Sequence, residues 1–237
     1  GWVSTQLGLP GTPAASEDLA VMKNLVLAEL TGTRLHLLHN STAGAVAAIR
    51  QVKAGGQAKV TAEVSVQHVA LTDEACLGYN TSAKMYPPLR SEAHVAAIIE
   101  AIKDGTIDAL TTDHAPHIEP DKLLPFADAA MGSVGLETSF AVMYTYLVVP
   151  GHITLPEGLA LMTHKPAAII NSDRGTLAEG AVADLALLDL NAAWTVDPAA
   201  LASKGKNCVF NGQTLQGKVT HTIVGGALKL ADGKLLL

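Results

Sequence analysis

The chain has 237 residues, of which 49% are hydrophobic and only 16% charged, with a formal net charge of −6. That composition excludes a disordered chain, which combines low hydrophobicity with high net charge. It also argues against a nucleic-acid or anionic-membrane surface, which needs clustered Lys and Arg. No apolar run reaches the ~18 residues of a membrane span. Cys76 and Cys208 lie far apart and match no metal spacing, so both read as small buried hydrophobes in a reducing, cytoplasmic setting. The sequence opens at Gly1 on residues that already read as mid-domain, so a piece of a longer protein is expected.

In chain order, residues 1–15 hold Gly8, Pro10, Gly11 and Pro13 and read as loop. Ser16 is the expected N-cap of a helix with Glu17 and Asp18 in its first turn and Leu19, Met22, Val26 and Leu30 at helical spacing. Gly32 stops it. Arg34 to His39 reads as a buried strand, Ser41 or Thr42 as the cap of the next helix, and Lys59 to Val66 as a second strand. An irregular stretch, 71–90, leads to a helix capped by Ser91, with Val95, Ile98, Ile99 and Ile102 on one face. Ile107 to Thr112 is the third strand, 113–132 a polar loop, and helices follow at about 136–149 and 155–164. This alternation predicts parallel βα units. After about Ser172 it gives way to strands over 175–190 and 218–237. The expected class is therefore α/β. Residues 1–172 form part of a (β/α) barrel of TIM type, and residues 173–237 part of a small C-terminal β domain of sandwich type.

The histidines cluster. His36 and His39 end the first strand, His68 follows the second, and His114 and His117 follow Asp113 after the third. In a β/α barrel the loops after the strand C-termini form the active face, so consecutive units deliver imidazole or carboxylate to one rim. Strand alternation puts His39 on the side opposite His36. His39 reads either as a metal ligand or as a hydrogen-bonded strand-end histidine. Asp113 could ligate a metal and accept a proton from water, or act as a turn residue. His117, in the same loop, could meet an anionic substrate. His68 reads as packed, Arg90 as an exposed ion pair, and His94 as solvent-facing. There is no phosphate loop and no nucleophile elbow.

Several blocks carry a resemblance: TGTRLHLLHNST at 31–42, VTAEVSVQHVALTDE at 60–74, YNTSAKMYPPLRSE at 79–92, KDGTIDALTTDHAPH at 103–117 and SKGKNCVFNG at 203–212. They resemble dihydroorotases of the bacterial monofunctional type, within the amidohydrolase superfamily, with allantoinases and hydantoinases as near relatives. The resemblance implies zinc-dependent, reversible cyclisation of N-carbamoyl-aspartate to dihydroorotate in pyrimidine synthesis, with one or two Zn²⁺ per full-length subunit. By matching position it implies His39 as a metal ligand, Asp113 as metal ligand and general acid/base, and His117 as a substrate-binding residue. A His-x-His pair and a bridging ligand are expected upstream. Tyr86 stands where active members have Asn, Gln67 where they have His, and Ala130-Met131 where they have Pro-Phe. Those departures raise an alternative: an inactive dihydroorotase-like subunit scaffolding aspartate carbamoyltransferase. An allantoinase or hydantoinase is a further alternative. A homo-oligomer acting on a small-molecule substrate is expected, with the isolated 237 residues inactive.

Overall fold

The computed structural model describes residues 1–56 and 58–236. Helix α1 (Trp2–Gln6) occupies part of the stretch expected to be loop; the Gly1 carbonyl accepts from Thr5 N and from the Ser4 and Thr5 hydroxyls. Helix α2 (Ala14–Thr31) starts earlier than its sequence cap implied. Pro13 is the N-cap, and Ser16 lies inside the first turn, its Oγ donating to Pro13 O at 2.7 Å. The buried face of α2 is Val21, Leu25 and Ala28. The Leu19, Met22, Val26, Leu30 stripe has the same period but is exposed, at 68, 44, 61 and 79%. Periodicity finds a stripe; only tertiary packing decides which one is covered.

Strand β1 (Leu35–Leu37), helix α3 (Ala43–Gly55) and strand β2 (Val60–Ser65) follow. Thr42 caps α3, its side chain accepting from Ala45 N. A short helix α4 (Val66–Ala70) begins directly at the end of β2. Helix α5 (Glu92–Lys103) and strand β3 (Ala109–Thr111) complete the alternation. The three strands form one parallel sheet in the order β1-β2-β3, with His36 opposite Thr61 and Ser65 opposite Thr111. On α5, Ile98, Ala101 and Ile102 are buried, the face that the spacing indicated.

The loop after β3 contains helix α6 (Glu119–Lys122). Helix α7 (Ser139–Met143) runs on as a π-helical turn, Tyr144–Val148. The helix expected over 155–164 is split into α8 (Leu155–Ala160) and α9 (His164–Ile169). Residues 175–184, expected as strand, are irregular, with Gly175 and Gly180 at φ 80° and 84°. Strands β4 (Leu185–Thr195), β5 (Thr214–Val224), β6 (Ala227–Ala231) and β7 (Lys234–Leu235) form an antiparallel sheet in that order. The strand expected over 218–237 is the end of β5 plus β6 and β7; residue 237 lies outside the described residues.

One hydrophobic cluster joins the two parts. It runs from Leu37, Ile49, Val64 and Ile98 to Phe140 and Met143, and on to Phe210 and Leu215. Gly217 makes the docking possible: a Cβ there would sit 2.9 Å from Tyr144 Cδ1 and 3.0 Å from Phe140 Cε1. The Trp194 indole then donates to Gly217 O at 3.0 Å.

Candidate active site

His39 and Asp113 each follow the last residues of a parallel strand, and both have left-handed backbone, φ 50° and 44°. Non-glycine residues rarely adopt that region, and such strain clusters at functional sites. The turn at His39 corrects the alternation argument. His36 and His39 are not on opposite sides; both reach the carboxylate of Glu63 on β2. His36 Nε2 lies 3.1 Å from Glu63 Oε2, and His39 Nδ1 lies 2.9 Å from Glu63 Oε1. The His36 contact has hydrogen-bond geometry, whereas the His39 contact is an ionic approach off the ring N–H line. The other His39 nitrogen, Nε2, faces Asp113 Oδ1 at 3.6 Å.

The electrostatics follow from this row of alternating partners. Glu63 raises the His39 imidazole above its usual value, burial works against that, and the Asp113 charge adds to the rise. Burial alone would raise Glu63, but its contacts with His39 and His36 outweigh it and hold the carboxyl below the usual range.

The donor set suits a divalent metal in part. A histidine that ligates a metal through one nitrogen usually presents the other to a carboxylate, as His39 Nδ1 does to Glu63. Two donors each ~2.1 Å from a tetrahedral ion lie roughly 3.4 Å apart, close to the 3.6 Å between His39 Nε2 and Asp113 Oδ1. Among the described residues, however, no group of three or more His, Cys, Asp or Glu is arranged to hold a metal. His39 and Asp113 would therefore be part of a ligand set.

His117 lies further along the Asp113 loop. Its Nε2 is 2.8 Å from Met131 O, so Nε2 carries the proton in that contact and Nδ1 is the open nitrogen. The loop is held by Asn207. Its Oδ1 accepts from His117 N at 2.9 Å, and its Nδ2 donates to Ala115 O at 2.9 Å and Gly132 O at 3.0 Å. Gly132, at φ 132°, is close against the same turn, where a Cβ would meet the Ala115 Cβ at 2.4 Å. Two lysines strap the far side. Lys84 Nζ donates to Ala127 O and Ala129 O, and Lys122 Nζ to Ala130 O and Gly132 O. Burial, with a contribution from Lys84, pushes Lys122 down to about 8.

The remaining sequence candidates divide. His68 is packed as expected, 2% exposed, between Ser65 Oγ and Pro87 O. Arg90 is not an exposed pair but 7% exposed, bonded to Glu17, Ser41 and Thr12. His94 is not free in solvent; its Nδ1 accepts from Ala43 N at 2.9 Å. The Gln67 amide is buried and donates to Thr112 O at 2.8 Å. Tyr86 is 68% exposed and lines a cavity of about 700 Å³ with Trp2, Leu7, Phe126 and Met131. Neither His39, Asp113 nor His117 lines that cavity. Glu63 and Asn207 were not among the sequence candidates. Glu63 had a signal, a carboxylate within an otherwise β-branched and small-residue strand; Asn207 had only its place in the SKGKNCVFNG block at 203–212, because its partners are distant in sequence.

A family model described as the amidohydrolase family matches residues 15–228. The chain belongs to that family. It is 48% identical over 232 residues to a dihydroorotase of Pelotomaculum thermopropionicum, and 50% identical over 236 residues to one of Anaeromyxobacter dehalogenans. Those alignments cover 98% and 99% of this amidohydrolase chain and 54% of each relative. Among solved structures, an L-hydantoinase (dihydropyrimidinase) from Arthrobacter aurescens superposes with a TM-score of 0.90 at 32% identity. That match covers 95% of this chain and 51% of the other. The chain thus spans about half the length of the relatives it matches. Amidohydrolases of this kind are generally metal-dependent. No helix among the described residues is long and apolar enough to cross a membrane.

Proposed function

We propose that this chain supplies one side of the active centre of a zinc-dependent dihydroorotase. The observation that carries the reading is the row Glu63–His39–Asp113, with 2.9 and 3.6 Å separations, which joins β2 to the turns after β1 and β3. The three βα units fit part of a (β/α) barrel whose remaining strands and ligands come from elsewhere in the complete protein, and β4–β7 fit part of a C-terminal β-sandwich. Residues 1–172 and 173–237 are the corresponding divisions. Zinc, held through His39 Nε2 and the Asp113 carboxylate together with ligands from the rest of the protein, would supply Lewis-acid activation of water and of the amide carbonyl.

The residues of the chain perform the remaining work. The Glu63 charge beside His39 Nδ1 favours the proton on that nitrogen and leaves Nε2 for the metal. Asp113 takes a proton from the attacking water and returns it to the amide nitrogen as the ring opens; in cyclisation the same carboxyl runs in reverse. His117 offers Nδ1 to a substrate N–H, or as an imidazolium donates to the substrate carboxylate.

The test is the complete protein, loaded with zinc and assayed in both directions with N-carbamoyl-aspartate and dihydroorotate. Turnover is expected, with His39→Ala and Asp113→Ala each lowering kcat/KM by about 10³-fold or more, as loss of a ligand or an acid/base group does. Wild-type protein that holds no zinc after metal-replete purification would overturn the reading. The hydantoinase alternative is favoured by the superposition on the Arthrobacter enzyme and predicts faster turnover of hydantoin than of dihydroorotate. The scaffold alternative rests on Tyr86, Gln67 and Met131, and predicts no turnover together with co-purification of aspartate carbamoyltransferase.

A further inference from the structure

The left-handed backbone at His39, φ 50°, is uncommon for any residue other than glycine and needs a restraint. The residues that follow supply it. Asn40 N donates to Glu63 O at 3.0 Å, and the Asn40 amide donates to Leu37 O and Glu63 O at 3.0 and 2.9 Å. The next two backbone N–H groups point at one carboxylate on another element. Glu17 Oε1 accepts from Ser41 N at 2.6 Å and from Thr42 N at 3.1 Å. Oε2 accepts from Ser41 Oγ and from Arg90 Nη2, the latter at 3.3 Å.

Arg90 fixes that carboxylate in turn. Its Nε donates to Ser41 Oγ at 3.1 Å and its Nη1 to Thr12 O at 2.7 Å. The pair is sheltered, at 8% and 14% side-chain exposure. Neighbours tighten the same segment: Asp18 Oδ1 accepts from Thr42 Oγ1 at 2.6 Å, and His94 Nδ1 accepts from Ala43 N at 2.9 Å. Ser41 and Thr42 are fully buried, and Glu17 is the acceptor for both of their backbone N–H groups.

We infer that Glu17, locked by Arg90, is a positioning residue for His39: it pins the segment after the strand and thereby fixes where the imidazole points. Glu17 touches neither His39 nor substrate. Its effect passes through the backbone of residues 40–42. The inference rests on the reading of His39 as a metal ligand, and groups that orient a ligand in this way typically change metal affinity by about 10- to 100-fold.

The experiment uses the complete protein and compares Glu17→Gln, Glu17→Ala and a control, Lys53→Met. Lys53 belongs to a different partly sheltered pair, with Asp108 at 2.8 Å, ahead of β3. Zinc affinity is read by chelator competition, and the exchange of residues 39–43 by hydrogen–deuterium mass spectrometry. The Gln side chain keeps one carbonyl oxygen for the Ser41 and Thr42 N–H groups; the Ala side chain keeps none. Expected is faster exchange of 39–43 and zinc affinity lower by about 10- to 100-fold in Glu17→Ala, substantial rescue in Glu17→Gln, and an unchanged zinc affinity in Lys53→Met despite a lower Tm. Should Glu17→Ala not fold, Glu17→Gln against Lys53→Met decides at smaller amplitude. Unchanged exchange at 39–43, or faster exchange with wild-type zinc affinity, would overturn the inference. If the wild-type protein binds no zinc, the reading of the centre fails by itself, and the exchange measurement alone decides whether Glu17 pins the segment.

Discussion

At the scale of single residues, the centre is governed by charge sharing. Glu63 accepts from one imidazole and balances a second, so its removal changes both. Without metal, Glu63→Gln is expected to bring His39 down toward an ordinary imidazole value, read by NMR titration; in the zinc-loaded complete protein it is expected to lower kcat/KM by about 10- to 100-fold. His39 and Asp113 were legible because a histidine and a carboxylate stood directly after short apolar strands. Glu63 was not singled out, because a lone Glu on a strand reads as a solvent-facing residue until its neighbours are known. Arg90 was misjudged for the same reason: sequence carries no measure of burial, and its partner Glu17 was placed only in the first turn of a helix.

At the scale of elements, the loop from Asp113 to Gly132 is held by side chains bonded to its backbone. Asn207 satisfies one N–H and two C=O groups there. Asn207→Ala leaves His117 N and Ala115 O without a partner, while Gly132 O keeps Lys122 Nζ; it is expected to cost about 1–3 kcal/mol by urea unfolding, with KM raised more than kcat through His117. Lys122 gives this loop a pH dependence. Its folded value, about 8, lies below that of an unfolded lysine, so the unfolded chain binds more protons at pH between the two values. Stability therefore rises as pH climbs from about 8 toward ~10.4. Tm measured across that range should show the rise in the wild type and lose it in Lys122→Met. The sequence marked 113–132 as a polar loop but gave no sign of these straps, since each joins residues far apart or binds carbonyls that every residue carries. The parallel βα order, by contrast, was legible from hydrophobic period, while boundaries failed at Pro13, at the π-helical turn Tyr144–Val148, at the break between α8 and α9, and over residues 175–184.

At the scale of the whole molecule, the exposed stripe of Leu19, Met22, Val26 and Leu30 on α2 and the open edges of the three-stranded sheet leave apolar and hydrogen-bonding surface uncovered. The isolated 237 residues are expected to self-associate and to show no turnover even with zinc present. Gel filtration should give species larger than a monomer, and Leu19→Glu with Val26→Glu should shift them toward monomer. A monodisperse, active monomer would refute this. The low charge content, 16%, fits a chain with much surface made for contact.

Left-handed backbone at Asp113, φ 44°, sets robustness against the proposed acid/base role. The conformation costs an L-residue roughly 1–2 kcal/mol, and glycine is free of that cost. Asp113→Gly should therefore unfold at higher urea than Asp113→Ala, by about 1 kcal/mol, although the proposed acid/base role predicts both to be inactive. On backbone grounds alone glycine suits this position best, so the chain holds its carboxylate here at a cost in stability.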